Sequence, residues 1–493
     1  MKRKHLTLGL LALCVSFTTL GLVACGGGGD DSSSEEHTVH TYENGVCSCG
    51  KNGLAYTLSD DGEYYIVAAA DTETSVFLTG AIVIPDEYEG KPVKELKQQA
   101  FHSSKITEIT IGDNVEIIPY SAFNSSEVEK VTLGDSVATI EDGAFLGCEA
   151  LEAIEFPASV KYIGSYAFSD CNALKSIVIP ETVETVGYEP FRDCAGLESV
   201  TLEGKDTVYE GVLDYYSGAY GTTFRELPNL KKVTVKEGVE SVIPGMFKDC
   251  PKLEEVSLPE SIKTIGDYAF SGCTSLEEID LQSIETIEGA AFSGCSSLKE
   301  IDMQYVKTIG EDAFKGCTAL TEIEIPASVE TIGKYAFAQC GLTKLVIPDT
   351  VKTLGEYVFE KCENLAEVEI GSGLTTLPRY AFRGTALKSC IIPENITDIQ
   401  DYAFFEASSM EWVIIPEDIN YIGVSFAYCS NLTAVYYAGD EHSWDKLERD
   451  NSWDFKSDNA RVYYYAETED DVVVLNASWH WVDGVPTVWE IDY

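Results

Sequence analysis

Phenylalanine recurs through most of this 493-residue chain at intervals of 22 or 23 residues, with one longer gap. A side chain that returns at a fixed interval marks a repeated structural unit, and such units bury their apolar edges by stacking on one another. The period therefore predicts a solenoid, which grows by adding coils rather than by enlarging one globular core. The fifteen copies are Phe101, Phe123, Phe145, Phe168, Phe191, Phe224, Phe247, Phe270, Phe292, Phe314, Phe337, Phe359, Phe382, Phe404 and Phe426.

The unit between two phenylalanines keeps the pattern F-x-x-C-x-x-L-x-x-I-x-I-P-x-x-V-x-x-I-G-x-x-A-F, which is clear after Phe145. Ile154 and Phe156 are two residues apart, as on one face of a strand, and Pro157 ends that strand. The second half, with apolar residues three and four apart, suits a short extended or turn segment that closes the coil. Gly164 within it is expected to allow a backbone turn that a side chain would block.

This unit resembles the BspA-like class of leucine-rich repeats over about residues 82–437. The resemblance implies a β-rich, right-handed solenoid of about 15 coils, with parallel strands on the concave face and a cap at each end. It also implies a secreted bacterial surface protein, because members of the class are associated with adhesion and with binding of host or matrix proteins. No residue-level binding site comes with the resemblance.

The first 24 residues have the features of an export signal. Lys2, Arg3 and Lys4 precede an apolar run over residues 6–24, and the run ends in Leu-Val-Ala before Cys25. This ending resembles the lipobox of bacterial lipoproteins, in which the cysteine is acylated after cleavage. The alternative is an uncleaved membrane-spanning helix. With acylation, the protein is expected on the extracellular side of the bacterial envelope, touching the membrane only through its lipid anchor.

Residues 25–50 are expected to form a flexible tether, since they begin with GGGGDDSSSEE after Cys25 and offer little apolar surface to bury. The tether contains His37, His40, Cys47 and Cys49, which are four zinc-type ligands within thirteen residues. A C-x-C pair is tighter than the usual zinc spacing, so a local disulfide and free side chains are the alternatives. No other cofactor is expected.

Cysteines in the repeats follow the phenylalanine period. Ten of the fifteen cysteines stand three residues after a repeat phenylalanine, and in other coils Ser104, Ser126, Leu227, Thr385 or Ala407 takes that position. A position that accepts such side chains does not require pairing. We therefore expect a buried ladder of free thiols in which cysteine acts as a small apolar side chain.

The formal net charge of −48 disfavours nucleic acid, which binds clustered lysine and arginine, and favours basic protein partners. Outward positions of the central strands are strongly acidic. Stacked like charges about 5 Å apart oppose one another, so a basic ligand or bound cations would relieve the repulsion. The alternative is a solvated face screened by salt. The candidate ligand-binding acids are Glu255, Glu278, Asp280, Glu300, Asp302, Glu322 and Glu324.

Toward the C-terminus the same outward positions become apolar, at Val346, Ile391, Trp412, Ile414 and Tyr436. Exposed contiguous apolar area usually marks an interaction site. The competing hypothesis is that an aromatic C-terminal cap, residues 438–493, covers these side chains, because the end of a solenoid must be shielded.

An insertion of about ten residues at 204–221 accounts for the long gap between phenylalanines. It is rich in tyrosine and glycine and includes Tyr215 and Tyr216, which are candidate binding residues. The alternative is a loop that packs only on its own coil. The remaining expected regions are an N-terminal cap at 51–95 and the solenoid at 96–437.

The sequence contains none of the familiar motifs for nucleophilic, metal-dependent or nucleotide-dependent catalysis. We therefore predict a non-catalytic adhesion or interaction protein with extracellular or surface protein partners. A structural or envelope-organising protein is the alternative, and an enzyme with its active site near the C-terminus is disfavoured.

Overall fold

A computed structural model describes residues 42–47, 53–70, 77–205, 207–210, 212–213, 220–221, 223–449, 460–467 and 478–489. Within them the chain forms a parallel-strand β-solenoid of about 16 turns, which confirms the predicted fold. One α-helix of six residues, α1 (Glu441–Lys446), interrupts the described strands, and Asp440 caps its N-terminus. No helix in these ranges is both long and apolar enough to cross a membrane.

The I-x-I half of the repeat forms the longer strands, which pair in parallel from one coil to the next. Ile177 lies opposite Val200, and Val200 opposite Val233, so buried residues align in one file. The alternate residues point away from the core and form what we call the strand face. These strands are Leu78–Val83, Lys105–Thr110, Lys130–Thr132, Ser176–Ile179, Ser199–Leu202, Lys232–Val235, Glu255–Ser257, Glu278–Asp280, Glu300–Asp302, Lys344–Ile347, Glu367–Ile370, Ser389–Ile391, Trp412–Ile415, Ala434–Tyr437 and Arg461–Tyr465.

The T-I-G half of the repeat forms a second parallel ladder, built mostly from two-residue strands in which the second residue is buried. Thr308 lies opposite Thr286 and Thr331 in this ladder. The strands are Lys91–Leu96, Ile117–Ile118, Thr139–Ile140, Tyr162–Ile163, Thr185–Val186, Val208–Tyr209, Ser241–Val242, Thr264–Ile265, Thr286–Ile287, Thr308–Ile309, Thr331–Ile332, Thr353–Leu354, Thr376–Leu377, Asp398–Ile399, Tyr421–Ile422 and Glu448–Arg449.

The turn that carries the repeat phenylalanine closes the coil and is hydrogen-bonded to its neighbours. The amide of Phe270 donates to the carbonyl of Ala291, and the amide of Phe292 donates to the carbonyl of Ala313, both at 2.8 Å. The fifteen rings are buried and stack in one continuous spine, with neighbouring centroids 5.0 to 5.9 Å apart and planes within 16° of parallel. The spine that the period predicts is therefore present.

Gly164 has a role different from the one expected, because its φ is not left-handed. A Cβ at this position would lie 2.5 Å from the amide nitrogen of Asp142 in the preceding coil. A side chain is therefore excluded here, as predicted, but the reason is the close approach of the adjacent coil and not a special backbone turn. Left-handed φ values occur instead two residues before and two after Phe168, at Tyr166 (54°) and Asp170 (62°).

Eleven described cysteines are buried and unpaired, which confirms the prediction for the repeat thiols. Each thiol of the ladder donates to the carbonyl of the phenylalanine in the preceding coil, as Cys295 does to Phe270 at 3.1 Å and Cys362 to Phe337 at 3.1 Å. Burial raises the pKa of the Cys362 thiol to about 12. The Cys362 thiol is therefore a protonated hydrogen-bond donor within the core.

Both ends of the solenoid carry additional strands. At the N-terminal end, the antiparallel strands Leu54–Leu58 and Tyr65–Ala69 precede the first short strand, and the second of them pairs with it in parallel. At the C-terminal end, Ser478–Val482 pairs with Arg461–Tyr465 and turns back as Val485–Val488. The remaining strands are Tyr42–Glu43, Val46–Cys47, Glu87–Tyr88, Val212–Leu213 and Tyr220–Gly221.

Candidate interaction surface

The central part of the strand face carries carboxylates in register. Glu278 lies opposite Glu300, and Asp280 lies opposite Asp302, as expected for parallel strands of this sequence. Both pairs are exposed, as are the other predicted acids Glu255, Glu322 and Glu324. Lys232 pairs with Glu255 at 2.7 Å at one end of this acidic stretch.

Four of these carboxylates, Glu278, Asp280, Glu300 and Asp302, make no ion pair with a lysine or arginine among the described residues. Lys299 is adjacent in sequence, but its amine pairs with Glu277 at 2.8 Å. Negative charge on this face is therefore left for solvent, ions or a partner to compensate.

The short-strand side of the same coils carries a row of paired charges. Lysine and glutamate alternate there from coil to coil, and Lys307 pairs with Glu285 at 2.6 Å while Lys352 pairs with Glu330 at 3.1 Å. On both the strand face and the short-strand side, equivalent residues of neighbouring coils lie opposite each other. The backbone arrangement alone therefore does not make the strand face acidic. That acidity is a property of the residues at its outward positions.

The C-terminal part of the strand face presents apolar side chains to solvent. Val346 is 44% exposed and Ile391 is 50% exposed, while Trp412 is half-buried. Ile414 is only 5% exposed, so the expectation that it would be open to a ligand is wrong. Its strand partners are Ile391 on one side and Tyr436 on the other.

Tyr436 is half-buried in an aromatic cluster. Its ring centroid lies 5.4 Å from that of Tyr463, 5.4 Å from that of Trp479 and 6.2 Å from that of Trp412. Burial, with a smaller effect from Tyr463, raises the pKa of Tyr436. Trp479 is buried, and its indole donates to the carbonyl of Tyr437 at 2.9 Å. The C-terminal segment thus covers part of the last coil, as the cap hypothesis expects, while Ile391 stays exposed; an interaction at Ile391 stays a prediction.

Several predicted site residues lie outside the described part of the chain. Cys25, His37, His40 and Cys49 are among them, and for Cys47 only the backbone, in strand Val46–Cys47, is described. The insertion residues Tyr215 and Tyr216 lie outside it as well. Among the described residues, no group of three or more histidine, cysteine or acidic side chains is arranged to hold a metal ion.

A second aromatic surface was not anticipated. Tyrosines two residues before the repeat phenylalanine stack in four consecutive coils, with ring centroids 4.4 to 4.9 Å apart. The ammonium group of Lys334 lies 5.2 Å from the ring centroid of the first of them and 5.8 Å from the second. The recurring Y-x-F pattern is the sequence signal that would have found this row, which comprises Tyr335, Tyr357, Tyr380 and Tyr402.

The repeats match the model of the BspA type leucine-rich repeat region in six copies, over residues 94–215, 220–343 and 330–446. This chain belongs to the BspA type leucine-rich repeat family. The family is one of surface and interaction-type repeat folds, and no enzymatic family matches. Among curated proteins no relative matches this chain.

A solved structure of a bacterial leucine-rich repeat protein shares the fold. A leucine-rich repeat protein from Bacteroides ovatus is 24% identical, with a TM-score of 0.54, over 81% of this chain and 98% of that one. A leucine rich cell surface protein from Faecalibacterium prausnitzii is also 24% identical, with a TM-score of 0.37, over 82% of this chain and 97% of that one. At this identity the likeness to the first protein shows the leucine-rich repeat fold alone.

Proposed function

We propose that this BspA type repeat protein is a non-catalytic, lipid-anchored protein of the bacterial cell surface that binds other proteins through its strand face. The observation that carries the proposal is the exposure of Val346 and Ile391, together with the half-buried ring of Trp412, on the same stretch of the strand face as the exposed carboxylates of Glu324 and Glu369. Exposed apolar patches with polar surroundings mark protein contacts, and aromatic anchors dominate the binding energy of such contacts.

Anchoring rests on the N-terminal sequence. Cleavage before Cys25 and acylation of its thiol would tether the solenoid through the Gly/Ser/acid segment. A Cys25→Ser variant should lose incorporation of a labelled fatty acid and should leave the membrane fraction. Unchanged lipid labelling of that variant would contradict the anchor without affecting the binding proposal.

Binding is tested with the chain from residue 26 onward, immobilised and exposed to purified matrix proteins and to neighbouring envelope proteins of basic and acidic charge. Trp412→Ala and Ile391→Asp should each reduce binding by about tenfold or more, as expected for an anchor in a contact. Val178→Asp is the matched control, because Val178 is 45% exposed at the same outward position of an earlier coil. Equal loss with the control, or none with Ile391→Asp, would refute the strand face as the site.

A further inference from the structure

Outward positions from Glu324 to Ile391 alternate in character along the solenoid axis. The middle residue of the I-x-I motif points outward, and we call it the second outward position; the first outward position lies two residues earlier. In successive coils the second outward position is held by Glu324, Val346, Glu369 and Ile391, with Glu369 directly opposite Val346. All four are exposed. A partner must therefore offer apolar and basic groups in turn, one coil apart.

The distance between coils selects the kind of segment that can do this. The strands of neighbouring coils on this face pair in parallel, which places them about 4.8 Å apart. An α-helix advances about 5.4 Å per turn, so a helix along the solenoid axis presents about one side chain per coil and drifts by only about 0.6 Å per coil. An extended segment repeats its facing side chains every ~6.7 Å, and it would lose register by about 2 Å per coil.

We propose that this stretch of the strand face docks an amphipathic α-helix of a partner protein, aligned with the solenoid axis. Apolar side chains of the helix contact Val346, Ile391 and Trp412, and its lysine or arginine side chains face Glu324 and Glu369. From the coil of Glu324 to that of Tyr436 there are five steps, which correspond to about 24 Å or about 16 helical residues. This inference rests on the proposed function and names the partner's chemistry at the same surface.

The charge pattern is also consistent with a basic helix. Glu322 and Glu367 flank the stretch on the first outward position and are exposed. Lys344 lies between them, with its amine 3.6 Å from the carboxylate of Glu367. Lys344 would repel a basic helix, so Lys344→Glu should strengthen binding several-fold, whereas loss of a carboxylate should weaken it.

The test uses synthetic 18-residue peptides and the chain from residue 26 onward. In the first peptide, the residue that faces the protein is lysine in one helical turn and leucine in the next. The second peptide has the same composition, scrambled so that the 3.6-residue period is lost. The third peptide has glutamate in place of each lysine. Fluorescence anisotropy should show binding of the first peptide about tenfold or more tighter than that of the other two. Circular dichroism should show the bound peptide gaining helix.

Matched variants locate the site. Ile391→Asp and Glu324→Lys should each weaken binding of the first peptide by about tenfold. Val178 and Glu155 occupy the same outward position in earlier coils, so Val178→Asp and Glu155→Lys should leave the affinity for this peptide unchanged. Equal binding of the scrambled peptide, or no gain of helix, would overturn the helical partner.

Failure of the peptides is distinguishable from failure of the proposed function. If no peptide binds but a folded protein still binds in a manner sensitive to Ile391→Asp, the helix is wrong and the strand face remains the site. If neither peptide nor protein binding responds to Ile391→Asp, both proposals fall.

Discussion

Phe292 lies between two other rings of the spine, 5.5 Å from the centroid of Phe270 and 5.4 Å from that of Phe314, and is fully buried. Phe292→Ala would leave a cavity and remove both stacking contacts. We expect it to lower the free energy of unfolding by about 3–5 kcal/mol, measured by chemical denaturation.

Tyr305→Ala is the control for that substitution, because Tyr305 is an aromatic residue of a nearby coil and is 56% exposed. A surface substitution of this kind changes stability by about 0.5 kcal/mol or less. Equal effects of the two substitutions would show that the ring of Phe292 is not packed in the core.

Glycine in the T-I-G segment serves the stacking of whole coils. A Cβ at Gly333 would lie 2.5 Å from the carbonyl carbon of Gly310, whereas a Cβ at Gly316 would have no atom nearer than 3.8 Å. Gly333→Ala should therefore lower the free energy of unfolding by about 1–3 kcal/mol through overpacking. Gly316→Ala meets only the cost of a left-handed φ, about 1 kcal/mol or less, because Gln339 holds an equivalent position. A larger loss from Gly316→Ala would contradict this account.

The thiol ladder should make the coils sensitive to alkali. Burial raises the pKa of Cys148, Cys194 and Cys250 from 9.0 to about 12. Above pH 9 the unfolded chain releases these protons while the folded chain keeps them, so ionisation favours unfolding. The stabilisation is complete below pH 9 and is lost as pH rises toward 12. Thermal melts from pH 8 to 11 should show a progressive fall in melting temperature.

Replacement of one ladder cysteine provides the control for that pH series. Cys362→Ala removes one raised pKa, so its melting temperature should fall less steeply above pH 9 than that of the unchanged chain. Identical slopes in the two proteins would mean that the thiols do not contribute to the alkaline transition.

At the scale of the whole molecule, the net charge of −48 is unevenly distributed. Lysines pair with glutamates along one row of the short-strand side, and the central strand face keeps carboxylates that make no ion pair among the described residues. Association with a basic partner through that face should weaken steeply as salt rises from about 0.05 to about 0.5 M, because the Debye length falls severalfold. Titrations of a bound basic partner at several salt concentrations provide the measurement.

Stability supplies the internal control for the salt series. Screening reduces self-repulsion in a strongly acidic protein, so the melting temperature should rise over the same range. Weaker binding by a more stable protein could not be ascribed to unfolding. A salt-independent affinity would remove the electrostatic part of the proposed contact.

The repeat period and its alternating apolar residues were sufficient to predict the solenoid, the buried phenylalanine spine and the unpaired thiols. Each of these follows from a local pattern repeated in every coil, and stacking then places equivalent residues in register. The exposed acids at Glu278 and Asp302 were predictable for the same reason, since strand alternation directs them away from the core.

Tertiary structure alone decided the features that depend on contacts between coils or beyond the repeat. Ile414 has the sequence position of an exposed residue, yet it is buried. Tyr436 is half-buried against Trp479, which lies 42 residues after Tyr437 in the sequence. Gly164 likewise matches a turn pattern, but its lack of a side chain serves close approach to Asp142. A one-dimensional pattern specifies which way a side chain points, whereas the space around it is set by whichever segments pack there.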